Sequence, residues 1–175
     1  MKCIPGENSI TPHWISAMNL PSDFTKRSKI FSAALRVSFK KTKRWRENDN
    51  FFYDCVGLEI ADACCFITAL NDEIIGFINW DPRNSPEYAI IGDNCIITKH
   101  KGKGYGKLQL QEAINRIIRN GGKKIYVSTG SGDGFIPARR MYECVGFTRL
   151  DNSTLQPWQI EQKQDFYYIM DASHK

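Results

Sequence analysis

Residues Lys101 to Lys107 read Lys-Gly-Lys-Gly-Tyr-Gly-Lys, so three alternating glycines are set among lysines. Glycines let backbone N–H groups come close to an anion. A helix that begins at Tyr105 or Gly106 would add its unpaired N–H groups and the positive end of its dipole. Lys99 contributes further positive charge, and no acidic residue lies between it and Lys107. The segment therefore predicts a binding site for a phosphorylated ligand.

The spacing of the glycines argues against two common nucleotide-binding loops. A Walker-type loop has four residues between its first Gly and the Gly-Lys-Ser/Thr. Gly102 and Gly106 enclose only three residues, and Leu108 follows Lys107. A dinucleotide-binding fingerprint would place its third glycine at position 107, which is lysine. What remains is a basic residue, two spacers, Gly, one spacer and Gly.

This pattern, Lys101 to Gly106, resembles the coenzyme A diphosphate loop of the GNAT superfamily of N-acetyltransferases, which usually opens with Gln or Arg. Residues 137–147, Pro-Ala-Arg-Arg-Met-Tyr-Glu-Cys-Val-Gly-Phe, resemble the second signature of that family. The two signatures occur in the family's order, and the resemblance covers about residues 60–171. Two residues depart from the family pattern. Lys101 replaces the usual Gln or Arg, and Phe135 stands where many relatives carry Asn.

The resemblance implies an α/β (α+β) fold with a central mixed, mostly antiparallel sheet, a splayed parallel strand pair and flanking helices. It implies a single GNAT-like domain over residues 1–175. It also implies transfer of an acetyl group from acetyl-coenzyme A to a primary amine by direct attack in a ternary complex. The residues implied in binding this cosubstrate are Ile96, Ile97, Thr98, Lys101, Gly102, Lys103, Gly104, Tyr105, Gly106, Lys107 and Arg139.

Catalysis needs an uncharged amine, a polarised carbonyl and a proton for the departing thiolate. Tyr142 stands at the family's tyrosine position, which implies that it is the general acid. Its phenol, with an ordinary pKa of about 10, can protonate a thiolate of pKa about 8.5. Asp93 is the first candidate for the general base and Asp81 the second. No metal is expected.

Composition limits the class of protein. The chain has 175 residues, of which 42% are apolar, and this suits a globular domain with a core. No apolar run reaches the roughly 18 residues that span a bilayer, and the first residues do not resemble a signal peptide. We therefore expect a cytoplasmic protein without a membrane partner. The six cysteines show no metal-ligand spacing and are interpreted as buried reduced thiols.

Periodicity predicts the elements around the two signatures. A short helix is expected over residues 12–18 and a longer one from Ser22 to about Lys40. Two strands over 63–70 and 74–80 enclose a turn at Asn71-Asp72. A third strand, bent near Gly92, leads into the glycine-rich segment. The remaining predicted elements are a helix with Leu110, Ala113, Ile114, Ile117 and Ile118 on one face, a strand over 124–129, a helix over 137–144 and strands over 147–150 and 166–170.

Two other function classes stay open. The basic run Lys40 to Arg46 and the net charge of +5 suggest a nucleic-acid-binding domain, although neighbouring acids disfavour nucleic acid as a partner. A sensor that binds coenzyme A without catalysis is the other alternative. The acceptor is a small-molecule or peptide amine that the sequence does not identify. The resemblance admits a homodimer.

Overall fold

The computed structural model describes residues 12–16, 64–71, 73–155, 159 and 166–173. The strands in these ranges are β1 His13–Ser16, β2 Cys65–Leu70, β3 Glu73–Asp81, β4 Ala89–Ile96, β5 Lys124–Thr129, β6 Thr148–Arg149 and β7 Phe166–Asp171. The α-helices that the described ranges contain in full are α1 Tyr105–Arg119 and α2 Ile136–Cys144. None of the described helices is both long enough and apolar enough to cross a bilayer.

The strands form one seven-stranded sheet in the order β1-β2-β3-β4-β5-β7-β6. The pairs β1/β2, β2/β3, β5/β7 and β7/β6 are antiparallel. Strands β4 and β5 run parallel, with Ala89 opposite Ile125 and Ile91 opposite Val127. A mixed, mostly antiparallel sheet with one parallel pair confirms the predicted fold class.

The described chain divides into two compact units. The loop unit contains the described residues up to Asn79 together with Asp93–Gln109, and therefore includes the glycine-rich segment. The tyrosine unit contains Trp80–Gly92 and the described residues from Leu110 onward, and therefore includes Tyr142.

The loop unit is built on the hairpin of β2 and β3, as predicted. Asn71 makes the turn with a φ of 48°, a left-handed conformation that asparagine tolerates better than most residues. A buried cluster of Leu70, Ile75, Ile96 and Tyr105 packs the end of β4 and the start of α1 onto this hairpin. The apolar side chain of Ile96 thus anchors the strand from which the glycine-rich segment departs.

The tyrosine unit contains the predicted apolar face of α1. Leu110, Ala113, Ile114 and Ile117 are buried, and Ile118 is partly buried. Strand β5 has the predicted bounds, and helix α2 begins one residue earlier than predicted. These residues form α1 because their offsets of three and four place them on one side of the helix.

Two expectations are wrong. Residues His13–Ser16 form strand β1 rather than part of a short helix, because their backbone groups pair with the antiparallel strand β2. The rings of Trp14 and Phe66 add an edge-to-face contact, with their centroids 5.3 Å apart. Cys144 is disulfide-bonded, which spacing alone did not indicate. Cys64, Cys65 and Cys95 are buried reduced thiols, as predicted. The helix over 22–40, the basic run, Cys3 and Cys55 lie outside the described residues.

Candidate functional site

The segment Lys101–Gly106, here called the anion loop, follows a short 3-10 helix over Thr98–His100 and includes the first two residues of α1. Gly102 and Gly104 have φ values of 76° and 86°, in the left-handed region that favours glycine. A Cβ atom at either residue would meet no atom within 4 Å. Glycine is therefore needed here for the backbone conformation, while the space above the loop is open.

Backbone donors collect in the anion loop. Among the described residues, the N–H groups of Gly102, Gly104, Tyr105 and Gly106 have no protein acceptor. The Gly104 carbonyl starts α1 by accepting hydrogen bonds from the N–H groups of Lys107 and Leu108, at 3.0 and 3.2 Å. Unpaired N–H groups at the start of a 15-residue helix attract an anion. The loop therefore presents unpaired backbone donors on an open face, an arrangement that suits an anion.

The charges around the loop differ in part from the prediction. Three lysines lie in the loop or directly after it: Lys101 and Lys103 are exposed, and Lys107 is partly buried. Lys99 is instead paired, with its Nζ 2.9 Å from each carboxylate oxygen of Glu73. His100 Nε2 lies 3.1 Å from Glu73 Oε2. Sequence reasoning missed Glu73 because it lies at the start of β3, far from the loop along the chain.

The pKa of Glu73 is lowered from its ordinary value of 4.5, mainly by the hydrogen bond from Lys99 and then by that from His100. Because the folded pKa is the lower one, the contribution of this pair to stability is present above pH 4.5 and is lost as the pH falls through the folded pKa. We expect Lys99→Gln to raise the Glu73 pKa toward 4.5, as measured by carboxyl NMR titration. Lys101→Gln is the control and should not move it; a Glu73 midpoint at or above 4.5 in the wild type would contradict this assignment.

At the end of β4, successive backbone N–H groups point to opposite edges of the strand. The N–H of Ile97 donates to the Ile75 carbonyl at 2.8 Å, and the Ile97 carbonyl accepts from His100 at 2.9 Å. Because successive strand residues direct their N–H groups to opposite edges, the Ile96 N–H lies on the other edge. Thr98 opens the 3-10 helix, and its N–H has no acceptor in the described part of the chain. Of the three predicted amides, that of Ile97 is used within the sheet.

The two candidate bases have different environments. Asp93 is partly buried and held by the buried side chain of Asn79, whose Oδ1 accepts the Asp93 N–H at 2.8 Å. The Asn79 amide also donates to Asp93 Oδ2 at 3.3 Å. Asp81 instead accepts from the exposed guanidinium of Arg83, with Nε at 2.9 Å from both of its oxygens. Asn79 thus orients Asp93 through two hydrogen bonds, whereas Asp81 is paired with a cation.

Tyr142 lies on α2 and is buried. Its ring contacts those of Phe147 and Tyr168, at centroid distances of 6.0 and 5.7 Å. The helix ends at Cys144 and is followed by a left-handed Gly146 with a φ of 103°, and the N–H of Phe147 donates to the Tyr142 carbonyl at 3.0 Å. Gly146 and Phe147 therefore terminate the helix, and the Phe147 N–H caps the carbonyl of Tyr142.

The Arg139 guanidinium forms hydrogen bonds with the protein backbone. Its Nη1 donates to the carbonyls of Gly130, Ser131 and Gly132 at 2.8, 2.9 and 3.2 Å, and its guanidinium lies 5.3 Å from the Phe166 ring centroid. Phe135 is 49% exposed and covers Gly130 so closely that a Cβ there would lie 2.8 Å from the ring. Arg139 therefore orders the segment between β5 and α2.

The predicted site residues fall into two groups. The loop unit holds Asp93, residues 96–98 and the anion loop with Lys107. The tyrosine unit holds Arg139 and Tyr142. Sequence reasoning missed Asn79, Gln109 and Glu73, because each meets its partners through strand pairing or helix packing rather than through a local motif.

Comparison with known proteins agrees with the fold. The family model described as the Acetyltransferase (GNAT) family matches residues 28–147. No curated protein matches the chain. Among solved structures, a GNAT-family protein from Desulfovibrio desulfuricans is similar with a TM-score of 0.69 and 16% identity, over 92% of this chain and 99% of the other.

Two further solved structures are similar over nearly their whole length. A GNAT-family acetyltransferase from Staphylococcus aureus has a TM-score of 0.67 and 15% identity, over 92% of this chain and 99% of the other. A GNAT-family acetyltransferase from Elizabethkingia anophelis with acetyl-coenzyme A bound has a TM-score of 0.60 and 18% identity, over 94% and 99%. At these identities the likeness shows a shared fold.

Proposed function

Because the chain belongs to the GNAT family of acetyltransferases, we propose that it transfers the acetyl group of acetyl-coenzyme A to a primary amine by direct attack in a ternary complex. The predicted family and the acyltransferase class are confirmed by the family match. The amine acceptor and the mechanism are proposals. The observation that carries the assignment of the cosubstrate is the set of N–H groups in the anion loop that have no acceptor among the described residues.

The anion loop suits the diphosphate of coenzyme A in three respects. The N–H groups of Gly102, Gly104, Tyr105 and Gly106 can donate to its oxygens. The lysines at positions 101, 103 and 107 supply positive charge, and the open space above the glycines leaves room for the ligand. A lysine at position 101 offers a point charge rather than the planar fork of arginine, so we assign most of the orientation to the backbone donors.

The end of β4 would bind the pantetheine arm. Of the residues predicted for this role, we propose Ile96 and Thr98 as the backbone donors, because the Ile97 N–H is bonded to the Ile75 carbonyl. An N–H donor aimed at the acetyl oxygen stabilises the negative charge that develops there during attack. The side chain of Ile96 packs in the core, so its apolar character and its backbone role do not conflict.

We assign two proton transfers to side chains. Asp93, directly or through a water molecule, takes a proton from the ammonium form of the acceptor, so that the amine nitrogen can form a bond to the acetyl carbon. When the bond from that carbon to sulfur breaks, Tyr142 gives its hydroxyl proton to the thiolate. Attack leaves the new amide nitrogen with one extra proton, which passes to the phenolate and restores Tyr142. Asp93 is restored when its carboxyl releases its proton to solvent, so one proton is released in each cycle. Bound acetyl-coenzyme A supplies the activated thioester.

Acetyl-coenzyme A is expected to raise the melting temperature of the protein. At about 100 times its Kd a ligand stabilises the folded state by about 2.7 kcal/mol, which corresponds to about 5 to 10 °C for a chain of this size. Acetyl-pantetheine, which lacks the diphosphate, is the control and should give a much smaller shift. When the protein and acetyl-coenzyme A are then mixed with each amine of a panel, acetyl transfer should release coenzyme A, whose free thiol a colorimetric reagent detects.

Two outcomes would contradict the proposed function. A thermal shift without thiol release for any amine would favour a coenzyme A sensor. Salt-dependent affinity for DNA or RNA that persists with coenzyme A bound would favour nucleic-acid binding. The single-domain organisation, the cytoplasmic location and a homodimer remain predictions.

A further inference from the structure

Gln109 is a fully buried polar side chain in the second turn of α1, at 0% exposure. Its Nε2 donates to the Phe77 carbonyl at 2.8 Å and to Asn94 Oδ1 at 2.6 Å, and it lies 3.4 Å from the Cys95 carbonyl. Its Oε1 accepts the hydroxyl of Thr68, which is also fully buried. One amide thus connects α1 to β2, β3 and β4.

The chain of hydrogen bonds continues to the anion loop. Asn94 accepts from Gln109 through Oδ1 and donates through Nδ2 to the Gly106 carbonyl at 3.3 Å. One series of donors therefore runs from the Thr68 hydroxyl through the Gln109 and Asn94 amides to the main chain of the loop. The N–H of that same Gly106 is one of the proposed diphosphate donors, so the network ends on the residue whose direction matters for binding.

Gly76 shows how closely the surrounding backbone fits this network. A Cβ at Gly76 would lie 2.3 Å from the Cys95 carbonyl oxygen and 3.0 Å from Gln109 Oε1. Real Cβ atoms do not approach backbone atoms so closely, and a buried amide has no room to move aside without losing its partners. The glycine therefore leaves the space in which the Gln109 amide is held.

We infer that Thr68, Gln109 and Asn94 form a positioning network that fixes the first turns of α1 so that the donors of the anion loop face the diphosphate. Apolar side chains alone would allow a helix to roll at small cost, because dispersion contacts have little direction. Rotation of α1 would leave the buried Gln109 amide and the Thr68 hydroxyl without partners. This inference rests on the proposed function, since the network acts on the binding step.

The test compares Thr68→Val, which keeps the shape and removes the donor, with Thr68→Ser, which keeps the donor. We expect Thr68→Val to weaken binding of coenzyme A about tenfold in calorimetric titration, because the Gln109 oxygen loses its buried partner. The KM for acetyl-coenzyme A should rise by a similar factor while kcat at saturation stays within about twofold. Thr68→Ser should bind coenzyme A within about twofold of the wild type.

A second variant covers the case in which Thr68→Val does not fold. Asn94→Ala changes a partly exposed residue and removes the bond to Gly106, so it should also weaken coenzyme A binding severalfold. Gln111→Leu changes an exposed glutamine on the same helix and should leave binding unchanged. The KM for acetyl-pantetheine, which has no diphosphate, should be unchanged in every variant.

The outcomes separate this inference from the proposed function. If the wild type binds coenzyme A and both Thr68→Val and Asn94→Ala bind it equally well, the inference is overturned and the proposed function stands. An equal loss of affinity for coenzyme A and acetyl-pantetheine would also overturn it, because general damage to the unit would explain that result. Failure of the wild type to bind coenzyme A would overturn both.

Discussion

Replacing Gly104 with aspartate is expected to abolish the thermal shift caused by acetyl-coenzyme A. Gly104 has a φ of 86°, a conformation that costs a residue with a Cβ about 1 to 2 kcal/mol. The new carboxylate would also lie among the donors proposed for the diphosphate, where its repulsion of the negative phosphates costs about 1 to 4 kcal/mol more. Together these effects, about 2 to 6 kcal/mol, weaken binding by at least about thirtyfold, as measured by calorimetry.

Two controls separate the causes. Gly104→Ala carries the conformational cost without the charge and should bind more weakly than the wild type but more tightly than Gly104→Asp. Gly121→Asp places the same carboxylate at another left-handed glycine, with a φ of 84° and open space around it, after the opposite end of α1. That variant should keep the shift. An unchanged shift in Gly104→Asp would remove the loop from the proposed site.

Tyr142→Phe is expected to lower kcat by about a hundredfold or more, the usual size of a general-acid contribution, while leaving the Kd for acetyl-coenzyme A nearly unchanged. Phenylalanine keeps the ring contacts with Phe147 and Tyr168, so the fold should be retained. The loss should be measured as single-turnover acetyl transfer, because slow product release would hide a change in the chemical step.

Tyr168→Phe provides the matched control for this substitution. Tyr168 is also buried, its hydroxyl donates to Glu143 at 3.4 Å, and burial raises its pKa, followed by the nearby charge of Glu143. A buried phenol with a raised pKa holds its proton more firmly, and no role in catalysis is assigned to it. Removal of that hydroxyl should leave kcat within about twofold of the wild type. Equal kinetics for Tyr142→Phe and the wild type would exclude Tyr142 as the acid.

Sequence patterns predicted the elements where a local period is strong. The apolar residues of α1 repeat at helical spacing from Leu110 to Ile118, and Lys124–Thr129 is rich in β-branched and aromatic residues, so both elements could be predicted. The glycines of the anion loop were recognised because a turn before a helix requires them. The short strand β1 was missed, since its four residues carry no clear period and its pairing with β2 decides its conformation.

The interactions that connect distant parts of the chain could not be predicted in the same way. Glu73 pairs with Lys99 only because β3 and the end of β4 are neighbours. Gln109 resembles any polar residue on a helix, and its burial follows from packing against three strands. Arg139 matched a family position for cosubstrate binding, but its guanidinium donates to three backbone carbonyls. Such partners depend on tertiary structure and not on spacing.

The most direct test of the anion loop is a titration with coenzyme A followed by two-dimensional amide NMR. We expect the resonances of Gly102, Gly104 and Gly106 to shift strongly downfield in proton frequency as their N–H groups bond to phosphate oxygens. Those of Gly121 and Gly134, which lie outside the loop, should stay in place. If the loop glycines do not move while coenzyme A binds, the diphosphate is held elsewhere and the proposed site is wrong.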